Sequence, residues 1–348
     1  MKPIIAIPMG DPAGIGPEIV AKALAREETF QCARCVVVGD KKVMEQAIRI
    51  VDLPMAIHVV KEPGEGRFEE HVINLMDLDN VDMGRLKLGE ISSMCGQAAY
   101  EYIAESISLA NEGKVAAVST TPINKESLRA AGVPFIGHTE IFGALTDTPD
   151  PLTMFEVRNM RVFFLTRHVS LRKACDMITK ERVMDYVKRC TQALRQLGVE
   201  DGTMAIAGLN PHSGENGLFG REEIDEIIPA IEAANAEGIH AEGPVPPDTI
   251  FSKARGGWYD MVVAMYHDQG HIPLKVIGFV YNQEQQKWDA VAGVNITLGL
   301  PIVRASVDHG TAFDQAGLGI ANELSLINAI DYGIRLSKSN RAKTEKEH

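Results

Sequence analysis

Met204-Ala-Ile-Ala-Gly-Leu-Asn-Pro-His212 is a short unbroken apolar run that closes on turn residues and then delivers a histidine. A run of this length, bounded by such residues, is the pattern of a strand buried on both faces, as strands of a parallel sheet are. Met160-Arg-Val-Phe-Phe-Leu-Thr-Arg-His168 and Met261-Val-Val-Ala-Met-Tyr-His267 repeat it. Pro3 to Met9, Cys35 to Gly39 and Lys114 to Ser119 are further runs of the same kind. Between these runs, Cys95 to Asn111, Glu181 to Gln196, Arg221 to Ala236 and Asn322 to Leu336 carry apolar residues at spacings of three and four, with charged residues opposite. The alternation predicts an α/β protein with largely parallel sheets. Ligands of such proteins bind at the carboxyl ends of strands, so three imidazoles delivered there make a candidate metal site. A single histidine after a strand is ordinarily a hydrogen-bonded loop residue; the threefold repetition favours ligation.

At 348 residues and 45% hydrophobic content, the chain is long for one core, which predicts two lobes around a cleft. The formal net charge is −12 and no concentrated basic stripe exists, which excludes nucleic acid as a partner. No run of eighteen apolar residues is present, so no membrane span is expected. The apolar stretch from Pro3 to Met9 breaks at Gly10-Asp11-Pro12, too short for the core of a signal peptide, and the expected location is the cytoplasm. The five cysteines, Cys32, Cys35, Cys95, Cys175 and Cys190, form no even framework and read as small hydrophobes. Cys32-Ala-Arg-Cys35 has no second pair to complete a zinc site.

The first predicted strand feeds Met9-Gly-Asp-Pro-Ala-Gly-Ile-Gly-Pro-Glu18, where Pro17 suits a first helical turn and Glu18 complements the helix N-terminus. The usual dinucleotide fingerprint is absent from the chain. Thr121-Pro-Ile-Asn-Lys125 and Gly137-His-Thr-Glu140 expose hydrogen-bonding groups after a strand and after a glycine turn; Lys125 and His138 are either anion binders or ordinary surface residues. Lys275 and Arg304 supply a point charge and a forked donor, the pair expected around a phosphate or carboxylate. Gly243 to Thr249 reads as a proline-rich connection, and Tyr281 to Ala292 as a polar surface excursion.

With Gly208-Leu-Asn-Pro-His212, Met265-Tyr-His-Asp-Gln-Gly270, Gly293-Val-Asn-Ile-Thr297 and Asp308-His-Gly-Thr311 added, seven ordered motifs span almost the whole chain. In these the chain resembles the 4-hydroxythreonine-4-phosphate dehydrogenase family and its 4-phospho-D-threonate and 4-phospho-D-erythronate 3-dehydrogenase relatives. The resemblance implies two α/β/α lobes with a cleft between them, similar to isocitrate and isopropylmalate dehydrogenases. It divides the chain into a terminal lobe, residues 1–125 plus 285–348, and a middle lobe, residues 126–284. It implies one divalent metal ion, whether zinc, cobalt, nickel, manganese or magnesium, on His168, His212 and His267. It further implies substrate contacts at His138, Thr139, Lys275, Asn295 and Arg304, and NAD on His309, Gly310, Thr311 and Asp314. A homodimer with the active site shared between subunits is implied as well.

The implied chemistry is NAD-dependent oxidation at C3 of a 4-phosphorylated four-carbon hydroxy acid, then decarboxylation to dihydroxyacetone phosphate. The metal would acidify the C3 hydroxyl and polarise the resulting ketone. Asp248, Asp268 and Lys275 are the candidates for proton transfer or for orienting its ligands. His271 stands where the pyridoxal-pathway members usually carry leucine, which favours 4-phospho-D-threonate or 4-phospho-D-erythronate. The alternative substrate is 4-hydroxythreonine 4-phosphate. A three-histidine metal hydrolase would need no cofactor, and the segment His309-Gly-Thr-Ala-Phe-Asp314 argues against it; a non-catalytic sensor would not need the histidines.

Overall fold

The computed structural model describes residues 2–284 and 287–344. The chain folds as two compact units, Met1–Pro151 with Tyr281–His348, and Leu152–Val280. The first unit carries β1 (Ile4–Pro8), β2 (Arg34–Gly39), β3 (Ala56–Val59), β4 (Val72–Asp77) and β5 (Ala117–Thr120). The second carries β6 (Leu152–Val157), β7 (Met160–Phe164), β8 (Met204–Ala207), β9 (Ala241–Val245) and β10 (Met261–Ala264). The strands β11 (Phe279–Asn282) and β12 (Lys287–Val291) pair with each other, and β13 (Val294–Leu298) and β14 (Arg304–Val307) join the sheet of the first unit.

In the first unit the strand order is β3-β4-β2-β1-β5-β14-β13, parallel throughout except for antiparallel β13 against β14. Ile5, Ala6, Ile7, Val36, Val37, Val38, Ala117 and Val118 are wholly buried, as the unbroken apolar runs require. In the second unit the order is β6-β7-β10-β8-β9, with only β6 antiparallel to its neighbour. Its core joins Phe155, Val162, Phe164, Ala205, Val262 and Ala264 to Ile250, Phe251 and Leu274 from the helices. All six predicted strands and the helix Lys180–Gln196 form where the periodicity places them. The helix read over Arg221 to Ala236 starts instead with a π-turn at Glu223–Ile227 before α-helix Ile228–Ala236. Pro229 has no N–H to offer the carbonyl four residues back, and the wider turn accommodates that gap.

Two boundaries differ from the sequence reading. Residues 126–151, expected in the middle lobe, belong to the first unit, because helices Lys125–Ala130 and His138–Leu145 pack on helix Ser93–Asn111. The stretch Gly243 to Thr249 is no connection: it holds the end of β9 and the first turn of helix Pro247–Arg255. Proline is tolerated there because β9 is an edge strand and because the first helical turn needs no donor. Of the excursion read from Tyr281 to Ala292, residues 285 and 286 lie outside the described residues. Among the described residues no helix is long and apolar enough to cross a membrane.

Candidate active site

In the second unit β7, β10 and β8 are consecutive neighbours and mutually parallel, and their carboxyl ends run into His168, His267 and His212. The sheet order therefore gathers at one edge three histidines that are far apart in sequence. The rings of His168 and His267 lie 6.0 Å apart between centroids. Asp268 Oδ1 is 2.6 Å from His267 Nδ1, an arrangement that fixes the ring and leaves Nε2 to face a ligand. Within one chain, no group of three or more described His, Cys, Asp or Glu side chains converges to hold a metal ion.

Each of these loops is tied down by a side chain the sequence reading passed over. Arg182 donates from Nη2 to the Leu165 carbonyl at 2.9 Å, and Thr166 donates to the Met265 carbonyl at 2.8 Å. Gln269 accepts from the Met265 N–H at 2.7 Å and donates to the Gly208 carbonyl at 2.8 Å, joining the loops of His267 and His212. Glu223, 1% exposed, accepts from the N–H groups of Leu209 and Asn210, each at 2.7 Å. His212 itself begins a left-handed turn that includes Ser213, Gly214, Glu215 and Asn216. Each non-glycine residue there costs roughly 1–2 kcal/mol, a strain of the sort found at functional sites.

His267, His271 and Lys275 stand at successive four-residue steps on helix His267–Gly278 and share one face. The His271 ring is 4.2 Å from His267 and stacks on Phe164 at 4.4 Å, with Phe155 edge-on. Burial, reinforced by positive charge from His267, Lys275, Arg167 and His168, pushes His271 down to about 3, so it is a neutral imidazole. Lys275 Nζ lies 4.5 Å over the Phe279 ring. Asp248 is exposed in the first turn of helix Pro247–Arg255.

In the first unit, Arg304 on β14 is 1% exposed and donates from Nη1 to Thr297 Oγ1 at 2.6 Å and from Nη2 to Thr120 Oγ1 at 3.1 Å. The Phe142 ring covers it at 5.3 Å. His138 is held well below the ordinary histidine value by burial and by the Arg304 charge, against a hydrogen bond to the Thr121 backbone. Its Nε2 and the Asn295 Oδ1 are buried polar atoms with no hydrogen-bond partner, so both have capacity left for one. Thr139 follows in the same helical turn.

The Met9–Glu18 loop packs on two others. Gly10, at φ +82, has no room for a Cβ, which would lie 2.4 Å from Thr121 Oγ1; Ile15 N–H donates to the Thr311 carbonyl at 3.1 Å. Asp11 is wholly buried, accepts from the Ala13 N–H at 2.8 Å, and is pushed up to about 6 by burial. Glu18 accepts from the Gly317 and Gly319 N–H groups at 2.6 and 2.9 Å, so it anchors the segment after Asp314 in addition to complementing its own helix. His309 Nδ1 contacts the Gly310 carbonyl at 3.0 Å, Gly310 has open space around it, and Asp314 is exposed. Cys35 is pushed up to about 12 by burial, in keeping with a small hydrophobe.

A family model described as "Pyridoxal phosphate biosynthetic protein PdxA" matches residues 31–333. The chain is 55% identical over 330 residues to a Fusobacterium nucleatum protein named "Putative D-threonate 4-phosphate dehydrogenase", covering 95% of this chain and 96% of that one. It is 53% identical over 329 residues to a protein of the same name from Clostridium botulinum, covering 94% and 95%. Among solved structures it is similar to 4-hydroxythreonine-4-phosphate dehydrogenase from Klebsiella pneumoniae, with TM-score 0.85, 40% identity and coverage of 97% and 98%.

Proposed function

The chain belongs to the PdxA family, and from that membership and the geometry above we propose that it oxidises a 4-phosphorylated four-carbon hydroxy acid at C3 with NAD and decarboxylates the product. The observation that carries this reading is the emergence of His168, His267 and His212 from three neighbouring parallel strands at one sheet edge. The donor set fits a divalent ion: imidazole suits zinc, cobalt, nickel or manganese, and the Asp268 carboxylate on His267 sets the tautomer a ligand needs. Such an ion supplies Lewis acidity at the C3 oxygen, and NAD supplies the hydride acceptor.

The chain's own residues then have separable tasks. Arg304, with its fork directed by two threonine hydroxyls, supplies fixed positive charge for an anionic group of the substrate. His138 stays neutral and offers Nε2, and Asn295 offers Oδ1, to substrate hydroxyl or carboxylate groups; Thr139 contributes beside them. Lys275 supplies charge and a proton at Nζ for the carbon left after carbon dioxide departs. Asp268 orients His267, and Asp248 remains the candidate for proton transfer at the C3 hydroxyl. NAD is held by His309, Gly310, Thr311 and Asp314, where the exposed Asp314 carboxylate is suited to accept from ribose hydroxyls.

The active form in this reading is a homodimer with its site shared between subunits. Ile272 and Val276, 61% and 76% exposed on one helix, with Leu218 and Phe219 also exposed, supply apolar surface that a second copy would cover. The substrate is 4-phospho-D-threonate or its erythronate epimer, the former favoured by the names of the 53–55% identical relatives. A second reading, 4-hydroxythreonine 4-phosphate, is favoured by the name of the 40% identical structure. Incubating the protein with NAD, a divalent metal and each of these acids decides the matter. NADH and carbon dioxide released together from a phosphorylated dihydroxy acid support the proposal; NADH without carbon dioxide, or neither with any acid, contradicts it.

A further inference from the structure

The His212 turn has a conformation that its own residues do not prefer. His212, Ser213, Glu215 and Asn216 have φ of 51°, 54°, 42° and 55°, and Gly214 has 81°. Four side-chain-bearing residues, two on either side of Gly214, are held left-handed at a cost that contacts from outside the turn must offset. Glu223 is the group placed to do so. Its Oε1 receives the N–H groups of Leu209 and Asn210, the two residues that lead into the turn, and its Oε2 receives Asn210 Nδ2 at 2.9 Å. Gly214 sits against the same carboxylate, since a Cβ there would lie 2.7 Å from Glu223 Oε2. Glu223 therefore braces the entry to the segment that carries His212 and packs against its middle, from the π-turn at the head of its own helix.

We propose that Glu223 is a positioning residue for the metal: it fixes the left-handed turn so that the His212 imidazole is presented as a ligand, without itself touching metal or substrate. The inference rests on the reading of His212 as a metal ligand. A carboxylate suits the site because all three partners are N–H donors; a glutamine would turn its own N–H₂ toward Asn210 Nδ2, which Glu222 Oε2 also accepts from at 2.7 Å.

The test is titration of the full-length, metal-free protein with Co²⁺ alone, followed by calorimetry and by the visible absorption of the bound ion. Glu223→Gln and, separately, Gly214→Ala are each expected to raise the Co²⁺ dissociation constant by about 10- to 100-fold. Both should leave the metal-free circular dichroism spectrum and the affinity for NAD unchanged. Gly214→Ala disturbs the turn while keeping the carboxylate, so if Glu223→Gln fails to fold, parental Co²⁺ binding by Gly214→Ala still overturns the claim that the turn presents His212. His212→Ala separates the two levels of the argument. If it abolishes Co²⁺ binding while both other variants bind as the parent does, the role of Glu223 is overturned and the metal reading stands. If it binds Co²⁺ as the parent does, the metal reading itself falls.

Discussion

Asp268 Oδ1 lies 2.6 Å from His267 Nδ1, at the start of the helix that follows β10, the middle one of the three histidine-bearing strands. The pairing commits one ring nitrogen to the carboxylate and frees the other. Asp268→Ala is expected to weaken zinc binding by about 10- to 100-fold with little effect on folding, because the carboxylate is exposed. Calorimetric titration with zinc checks this, and an unchanged dissociation constant would show the pair to be incidental.

Arg304 is buried and its guanidinium donates to hydroxyls on β13 and β5, so two consequences attend its replacement. Arg304→Lys keeps the charge but loses the fork. It should lower unfolding free energy by about 2 kcal/mol, in the range of hydrogen bonds made by charged groups, and raise KM for the phosphorylated acid while leaving KM for NAD alone. Denaturant titration and steady-state kinetics read the two effects separately.

Asp11 gives a pH dependence with a definite sign. Its carboxyl titrates near 6 in the fold and near 3.8 when unfolded, so the native state holds the proton more tightly. Stability from this group is fully present below about pH 4 and is lost as pH rises toward 6, by an amount on the order of 3 kcal/mol. Asp11→Asn should melt higher than the parent at pH 8 and near it at pH 4.5. Parallel melting curves for the two proteins across that range would contradict the assignment.

Asp314 is exposed in the segment proposed to hold NAD. Asp314→Ala should weaken NAD binding several-fold, leave binding of the phosphorylated acid nearly unchanged and have little effect on melting. Fluorescence titration with NADH and equilibrium binding of the acid give the comparison; equal losses of both would place the cofactor elsewhere.

The strands were legible because their burial on both faces leaves no polar position to interrupt an apolar run, as in Val36, Val37 and Val38. β9 was not, because Gly243 and Pro244 carry the composition of a loop, and its place at the sheet edge makes them acceptable. That the three histidines follow strand ends was legible through repetition, and the structure adds that β7, β10 and β8 are neighbours. His271 was visible as a residue four positions after His267, whereas its stacking on Phe164 was not. Glu223 gave no signal at all. Its role depends on backbone N–H groups thirteen and fourteen residues earlier, in a turn whose left-handed residues are mostly not glycine. Gln269 lay inside a quoted motif, but that it joins two loops follows only from the adjacency of β10 and β8.

The most direct test of the account is a crystal structure of the zinc-loaded protein with anomalous data collected at the zinc edge. One peak per active site, with nitrogens of His168, His212 and His267 at about 2.0–2.1 Å whether from one subunit or two, is the predicted result. A zinc ion bound away from these imidazoles, or the three rings turned from one another both within and between subunits, would contradict it.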